Sequence, residues 1–185
     1  MAEPIELLRR PALFEERAAR ETVIISVAEP CLRVALRAPQ ESVPSVSTAL
    51  GLTLPSRPKT SASSGTRSAL WLGPDEWLVL DQADKEMLPA LANESAFHSA
   101  VDVSHRNVGI VVSGRAAADV INTGCPQDLS LSAFPVGACS RTLLGKIEIV
   151  LWRTADDEFR VECWRSFSDY ADSFLRAAAR DVSFS

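Results

Sequence analysis

Histidine is scarce in this 185-residue chain: only His98 and His105 occur, and neither is spaced to a cysteine as metal ligands are. A zinc site within the chain is therefore not expected. The four cysteines, Cys31, Cys125, Cys139 and Cys163, are scattered and form no C-x-x-C pair. They read as reduced thiols, and Cys163, in an alternating strand, as a small buried hydrophobe. Eight glycines occur, but none form G-x-G-x-x-G or a Walker loop, so no segment would cradle a dinucleotide or a triphosphate. The net charge is −5 with no basic block, which leaves nucleic acid without an electrostatic footprint. No apolar run approaches the roughly 18–20 residues of a membrane span. Near the start, "IELLRRPALFEERAAR" mixes acids and arginines through its apolar positions, unlike a signal peptide. The expectation is a cytoplasmic protein with no nucleic-acid or membrane partner.

Against these absences stand a 46% apolar composition, enough for a real core, and a repeated phrase. "SALWLGPDEWLVL" (68–80) and "IVLWRTADDEFRV" (149–161) each have an apolar run ending in Leu-Trp, an acidic break and a second apolar run opening on an aromatic. Trp71 and Trp152 lie 81 positions apart (152 − 71), Trp77 and Phe159 82 apart (159 − 77). Such a period is too long for a solenoid, whose units run about 20–50 residues. It predicts an α+β fold: a single domain of two similar halves related by a pseudo-twofold, residues 22–94 and 101–182 within a domain spanning 22–185, after an N-terminal arm over 1–21.

Local patterns fill in the halves. In the arm, a short helix is expected after Pro11. "TVIISVAEPCLRVALRAP" reads as two strands around Glu29-Pro30, and "ESVPSVSTALG" as a short helix closed by Gly51. The Ser/Pro-rich stretch 54–67 reads as a loop, and "ADKEMLPALANE" as a helix that Pro89 distorts or delays. "NVGIVVSG" predicts a strand, "RAAADVINTG" a helix stopped by Gly124, and Lys146–Arg153 and "EFRVECW" strands around Asp156-Asp157. The last helix is expected to begin with a Ser166/Asp169 capping pair. It would bury Phe167, Tyr170, Ala171, Phe174, Leu175 and Ala178 at helical spacing.

Chemistry is thinly represented. Neither histidine has a Ser or Cys partner at a recognisable motif position. The acids Asp75-Glu76 and Asp156-Asp157-Glu158 lie in hairpin turns, where turn formation is the ordinary use. No catalytic, cofactor-binding or metal-ligating residue is assigned.

"AVDVSHRNVGIVVSGRAAADVINTGCPQDLS" resembles the folate-binding domain of the glycine-cleavage aminomethyltransferase family, through Asp102, Ser104, His105, Gly114, Cys125, Asp128 and Leu129. "LWLGPDEWLVL", "CPQDLSLSAFPVGACSRTLLGKIEIVLWR" and "FRVECWRSFSDYADSFL" together resemble, more closely, the gamma-subunit family of heterotetrameric sarcosine oxidase, over about residues 24–180. That resemblance implies a duplicated α+β fold and a structural subunit beside alpha, beta and delta subunits. It also implies that FAD, FMN, NAD, tetrahydrofolate and zinc are held by those other chains. In the active aminomethyltransferases a folate-facing Asp follows a Gly-rich hairpin. Here the hairpin is trimmed to Gly145-Lys146 and the nearest acid is Glu148, so the folate site reads as lost.

Two functions follow as expectations. The first is a non-catalytic subunit of an enzyme that oxidises sarcosine to glycine, with Trp71, Trp77, Trp152, Trp164 and Arg165 as candidate interface residues, since tryptophan and arginine anchor interfaces. Core packing is the competing use of at least two of these tryptophans. The second is a stand-alone folate-binding protein or minimal one-carbon transferase using Glu148 and His105.

Overall fold

Eleven strands lie among the described residues, which in this computed structural model are 18–20, 22–83 and 86–182. In chain order they are β1 Ala18–Arg20, β2 Val23–Val27, β3 Leu32–Arg37, β4 Ser61–Ser64, β5 Arg67–Gly73, β6 Glu76–Asp81, β7 Ser99–Asp102, β8 Asn107–Ser113, β9 Cys139–Leu144, β10 Ile147–Ala155 and β11 Glu158–Trp164. Four α-helices intervene: α1 Val43–Leu50, α2 Met87–Ala92, α3 Ala117–Asn122 and α4 Ser168–Val182. The strands form a six-stranded sheet A, ordered β1-β2-β8-β11-β10-β9, and a five-stranded sheet B, ordered β4-β5-β6-β3-β7. Every named pairing is antiparallel.

Three apolar clusters define the layers. Sheet A packs one face on α3 and α4 through Ile110, Val112, Leu151, Phe159, Val161, Val120 and Leu175. Sheet B packs one face on α1 and α2 through Val34, Leu36, Trp77, Val79, Leu50 and Leu91. A smaller cluster with Leu70, Leu78, Leu80, Val103 and Cys139 lies between the sheets. The layers run helices, sheet A, sheet B, helices. Each core strand therefore hides both faces, which explains how Arg33, Arg160 and Glu162 become buried in alternating strands.

The two sheets repeat one pattern. The run β3-α1-β4-β5-β6-α2 in sheet B has its counterpart in β8-α3-β9-β10-β11-α4 in sheet A. The strands that precede each run are exchanged: β2 pairs with β8 and β7 pairs with β3. The two strands expected around Glu29-Pro30 thus exist, but they belong to different sheets.

Cross-strand rows give the correspondence residue by residue. One row of sheet B reads Trp71, Trp77, Leu36, Ala100; its partner in sheet A reads Arg153, Phe159, Val112, Ile25, and continues to Ala18. Trp71 and Trp152 therefore occupy equivalent strands one residue out of register. Because side chains alternate, that slip puts them on opposite faces: Trp71 packs toward α1 and α2, and Trp152 packs between the sheets.

Several local expectations need correction. Of the expected arm, residues 18–20 form β1; its helix after Pro11 lies outside the described residues. The Ser/Pro-rich stretch contains β4, an edge strand that needs only backbone pairing to β5 and leaves its serines outside the core. Ser166 does not cap α4; it sits in a 3-10 turn, Arg165–Phe167, and the following Ser168 hydroxyl donates to the Arg165 carbonyl at 2.8 Å. Tyr170 lies at the rim of the buried helix face and its oxygen accepts from the Lys146 amide at 3.2 Å. Gly51 closes α1 at φ +61° as expected.

Gly124 is not a left-handed stop. α3 ends at Asn122, and a Cβ on Gly124 would lie 2.5 Å from the Phe174 ring and 2.9 Å from the Gly145 amide nitrogen. The residue is a point of close approach between the end of α3, α4 and the β9–β10 turn. Ring on one side and backbone on the other leave little room to yield. Gly124→Ala is expected to destabilise the chain by about 1–3 kcal/mol through overpacking, measured as a lowered midpoint in urea unfolding.

Candidate functional site

Two polar features interrupt the space between the sheets. The deeper one is built by β3 and β11. Glu162 accepts from Arg33 Nε at 2.6 Å and Nη2 at 3.1 Å, and from Arg160 Nε at 2.7 Å. Arg160 Nη2 also reaches Cys31 Sγ at 3.0 Å, and Arg33 Nη1 donates to the Cys31 carbonyl at 3.2 Å. Gly109 on β8 makes room, since a Cβ there would stand 2.6 Å from a Glu162 carboxylate oxygen. The three charged side chains are all buried, so the cluster fixes how the sheets face each other.

The shallower feature is a cleft of about 220 Å³ between the sheets, with Ala35, Leu72, Leu78 and Val150 among its apolar lining and Glu76, Arg106, Asn107, Arg141, Glu148 and Trp164 among its polar and aromatic lining. Arg141 Nη2 meets Glu76 at 2.5 Å and its Nε stands 3.8 Å from Glu148; Arg37 meets Glu76 at 3.3 Å. Burial pushes the Glu76 carboxyl up, but hydrogen bonds and charge from Arg141, helped by Arg37, outweigh it and hold the group below its usual range. Asn107 leaves its buried Oδ1 without a protein partner among the described residues.

The candidate interface residues separate clearly. Trp77 is 1% exposed and donates its indole N–H to the Pro55 carbonyl at 2.8 Å, so it is core and offers nothing to a partner. Trp71 is half-buried, with no acceptor for its indole nitrogen among the described residues. Trp152 is half-buried and donates to the Ser61 hydroxyl at 3.1 Å. Trp164 is 46% exposed, stacked on Phe167 at 5.7 Å, with the Arg106 guanidinium 5.5 Å from its ring. Arg165 is exposed beside it and its amide donates to the Arg106 carbonyl at 2.7 Å. Of these five, only Trp164 and Arg165 are exposed.

Glu148 points to the inter-sheet side, opposite Ile147 and Ile149, and lines the cleft. His105 is exposed in the turn after β7 and is not among the lining residues. The Arg106 and Asn107 contributions were not legible in the sequence, because a loop arginine and asparagine carry no motif. Glu162 had one signal: "FRVEC" puts Arg160 and Glu162 two apart in a strand whose other face is wholly apolar.

All four cysteines are free. Burial pushes Cys139 and Cys163 up to about 12, and it raises Cys31 against the pull of Arg160 and Arg33.

With the geometry in place, the chain can be set beside known proteins. The family described as sarcosine oxidase, gamma subunit matches residues 37–181. The chain belongs to this family. The sarcosine oxidase subunit gamma of Corynebacterium sp. (strain U-96) is 33% identical over 124 residues, covering 65% of this chain and 59% of that protein. That of Corynebacterium sp. (strain P-1) is 33% identical over 132 residues, covering 69% and 64%. The matched stretch thus spans about six-tenths of the length of these relatives. In three dimensions the chain matches a chain of the heterotetrameric sarcosine oxidase from Corynebacterium sp. U-96, solved in complex with pyrrole 2-carboxylate, with a TM-score of 0.83 and 28% identity over 89% of this chain and 88% of that one. The glycine cleavage system aminomethyltransferase T from Bartonella henselae shares the fold, with a TM-score of 0.64 and 13% identity over 84% of this chain and 46% of that one. The gamma-subunit family therefore uses the aminomethyltransferase-like fold, in which this member buries charge where its sheets meet.

Removing one charge from that cluster is expected to be costly. Glu162→Gln leaves Arg33 and Arg160 buried without their counter-ion and should lower stability by about 3–5 kcal/mol, read from urea unfolding. Replacing all three residues by apolar ones of similar volume should recover most of the loss.

Proposed function

We propose that the chain is a non-catalytic structural subunit of a heterotetrameric sarcosine oxidase. In this reading the complex oxidatively demethylates sarcosine to glycine, with formation of hydrogen peroxide and of 5,10-methylenetetrahydrofolate or formaldehyde. The observation that carries it is the family match over residues 37–181, supported by the fold-wide likeness to a chain of the solved heterotetramer. The partners are the alpha, beta and delta subunits, which hold FAD, FMN, NAD, tetrahydrofolate and zinc, and the setting is the cytoplasm. Among the described residues no helix is long and apolar enough to cross a membrane. The same reading takes residues 22–185 as one domain, with 22–94 and 101–182 as its duplicated units. Trp164 and Arg165 are its interface candidates, because they alone of the five stand exposed.

A transferase using Glu148 and His105 finds less support. Glu148 stands beside Arg141, and His105 is outside the cleft that Glu148 lines.

Two measurements test the subunit reading. Co-expressed with the flavin-bearing and folate-bearing chains, this chain should elute with them as one complex on gel filtration with light scattering; a monomer that ignores them overturns the proposal. In the assembled enzyme, Glu148→Gln should leave turnover nearly unchanged. A loss of a hundredfold, about 2.7 kcal/mol of transition-state stabilisation, would favour the folate-binding alternative.

A further inference from the structure

The duplicated rows end unequally. In sheet A the row Arg153–Phe159–Val112–Ile25 continues to Ala18, because β1 covers the outer edge of β2. In sheet B the matching row stops at Ala100, and β7 is the last strand. β1 pairs with Val23, Ile24 and Ile25. Since Ile25 and Ala100 hold the same place in their rows, the uncovered counterparts are His98, Ser99 and Ala100.

The backbone at that edge is free to pair. The Val103 amide donates to the Arg33 carbonyl at 2.8 Å, so odd-numbered residues of β7 turn their backbone groups toward β3. Ala100 and Asp102 then direct theirs outward, where no described residue meets them. Ile25 directs its own outward in the same way, since Ala28, an odd number of residues away, donates to the Gly109 carbonyl on β8 at 2.9 Å. An unpaired edge is normally shortened, charged or covered. β7 is short, four residues, and ends in the exposed Asp102, yet it also presents a large apolar side chain, Val101 at 53% exposure, with Phe97, 82% exposed, two residues before its start. Val101 pairs with Ala35, which lines the inter-sheet cleft, so the apolar strip is continuous with that cleft. At the end of the strand Asp102 is exposed, and hydrogen bonds from Ser104 hold its carboxyl below the usual range.

We propose that β7 is a docking edge onto which an extended segment of a partner subunit adds as a sixth antiparallel strand. The segment would take the place in sheet B that β1 takes in sheet A, with apolar side chains over Phe97 and Val101 and a lysine or arginine near Asp102. Main-chain pairing supplies affinity in such strand addition, and the side-chain contacts supply selectivity. The inference rests on the subunit reading above.

Hydrogen exchange on the intact co-expressed complex and on the free chain tests it. The Ala100 and Asp102 amides should exchange at least tenfold more slowly in the complex. Ala100→Pro removes the outward N–H without touching a bond to β3, a substitution edge strands tolerate, and should weaken assembly at least tenfold, whereas Ala100→Ser should not. A complex that forms with those amides still exchanging freely overturns the docking edge and leaves the subunit reading standing. Amides already slow in the free chain overturn it too, because the edge is then covered by this chain itself. If no complex forms, both readings fall together.

Discussion

How the two sheets face each other depends on Glu162 lying between Arg33 and Arg160. Two sheets whose outer faces pack on helices still have to be held face to face, and the apolar cluster between them is small. A carboxylate shared by one guanidinium from each sheet fixes both separation and angle, which apolar contact alone does loosely. The cost of burying three charges is offset by short, directional hydrogen bonds. Such a cluster contributes less to net stability than to choosing one arrangement among similar ones.

The elements most legible in the sequence were those with one buried face and a clear period. α4 is the example: Ala171, Leu175 and Ala178 are buried as their spacing demands. Strands β8, β10 and β11 were equally plain. β4 was not, because an edge strand of serines has neither apolar alternation nor bulk. Nor could the sequence tell that β2 and β3 part company, since a turn signal such as Glu29-Pro30 marks a change of direction and not the identity of the neighbour. The site was less legible still. Charged residues in a strand suggest a wet face, and only a second sheet on that face turns Arg33 and Glu162 into interior residues. Trp164 could be named as an anchor from residue type alone, but so could Trp77, and only packing separates them.

The two matching hairpins show how far side chains differ where the strand pattern is the same. Trp71 and Trp77 are six residues apart, whereas Trp152 and Phe159 are seven apart. The place of Trp71 is taken in the second copy by Arg153, buried over the Phe159 ring at 4.4 Å. The place of Trp152 is taken in the first by Leu70, since each lies one residue before its counterpart. A large planar group was retained at each hairpin position facing the helices, while its chemistry changed from indole to guanidinium. Identity of residue type at nearly the same period was thus a true sign of the repeated strand order and a misleading guide to register.

Strand exchange carries a consequence for how the chain comes to be made. Ile24 pairs with Ser113, 89 positions later (113 − 24). On a ribosome adding about 5–20 residues per second, β2 waits several seconds for its neighbour to emerge, and sheet B lacks β7 until the second unit has begun. Neither unit closes its own sheet, so the first cannot finish folding until β7 and β8, the opening strands of the second, have emerged. The chain is thereby made indivisible: cutting it between the units would yield two pieces, each holding a strand that pairs in the other's sheet.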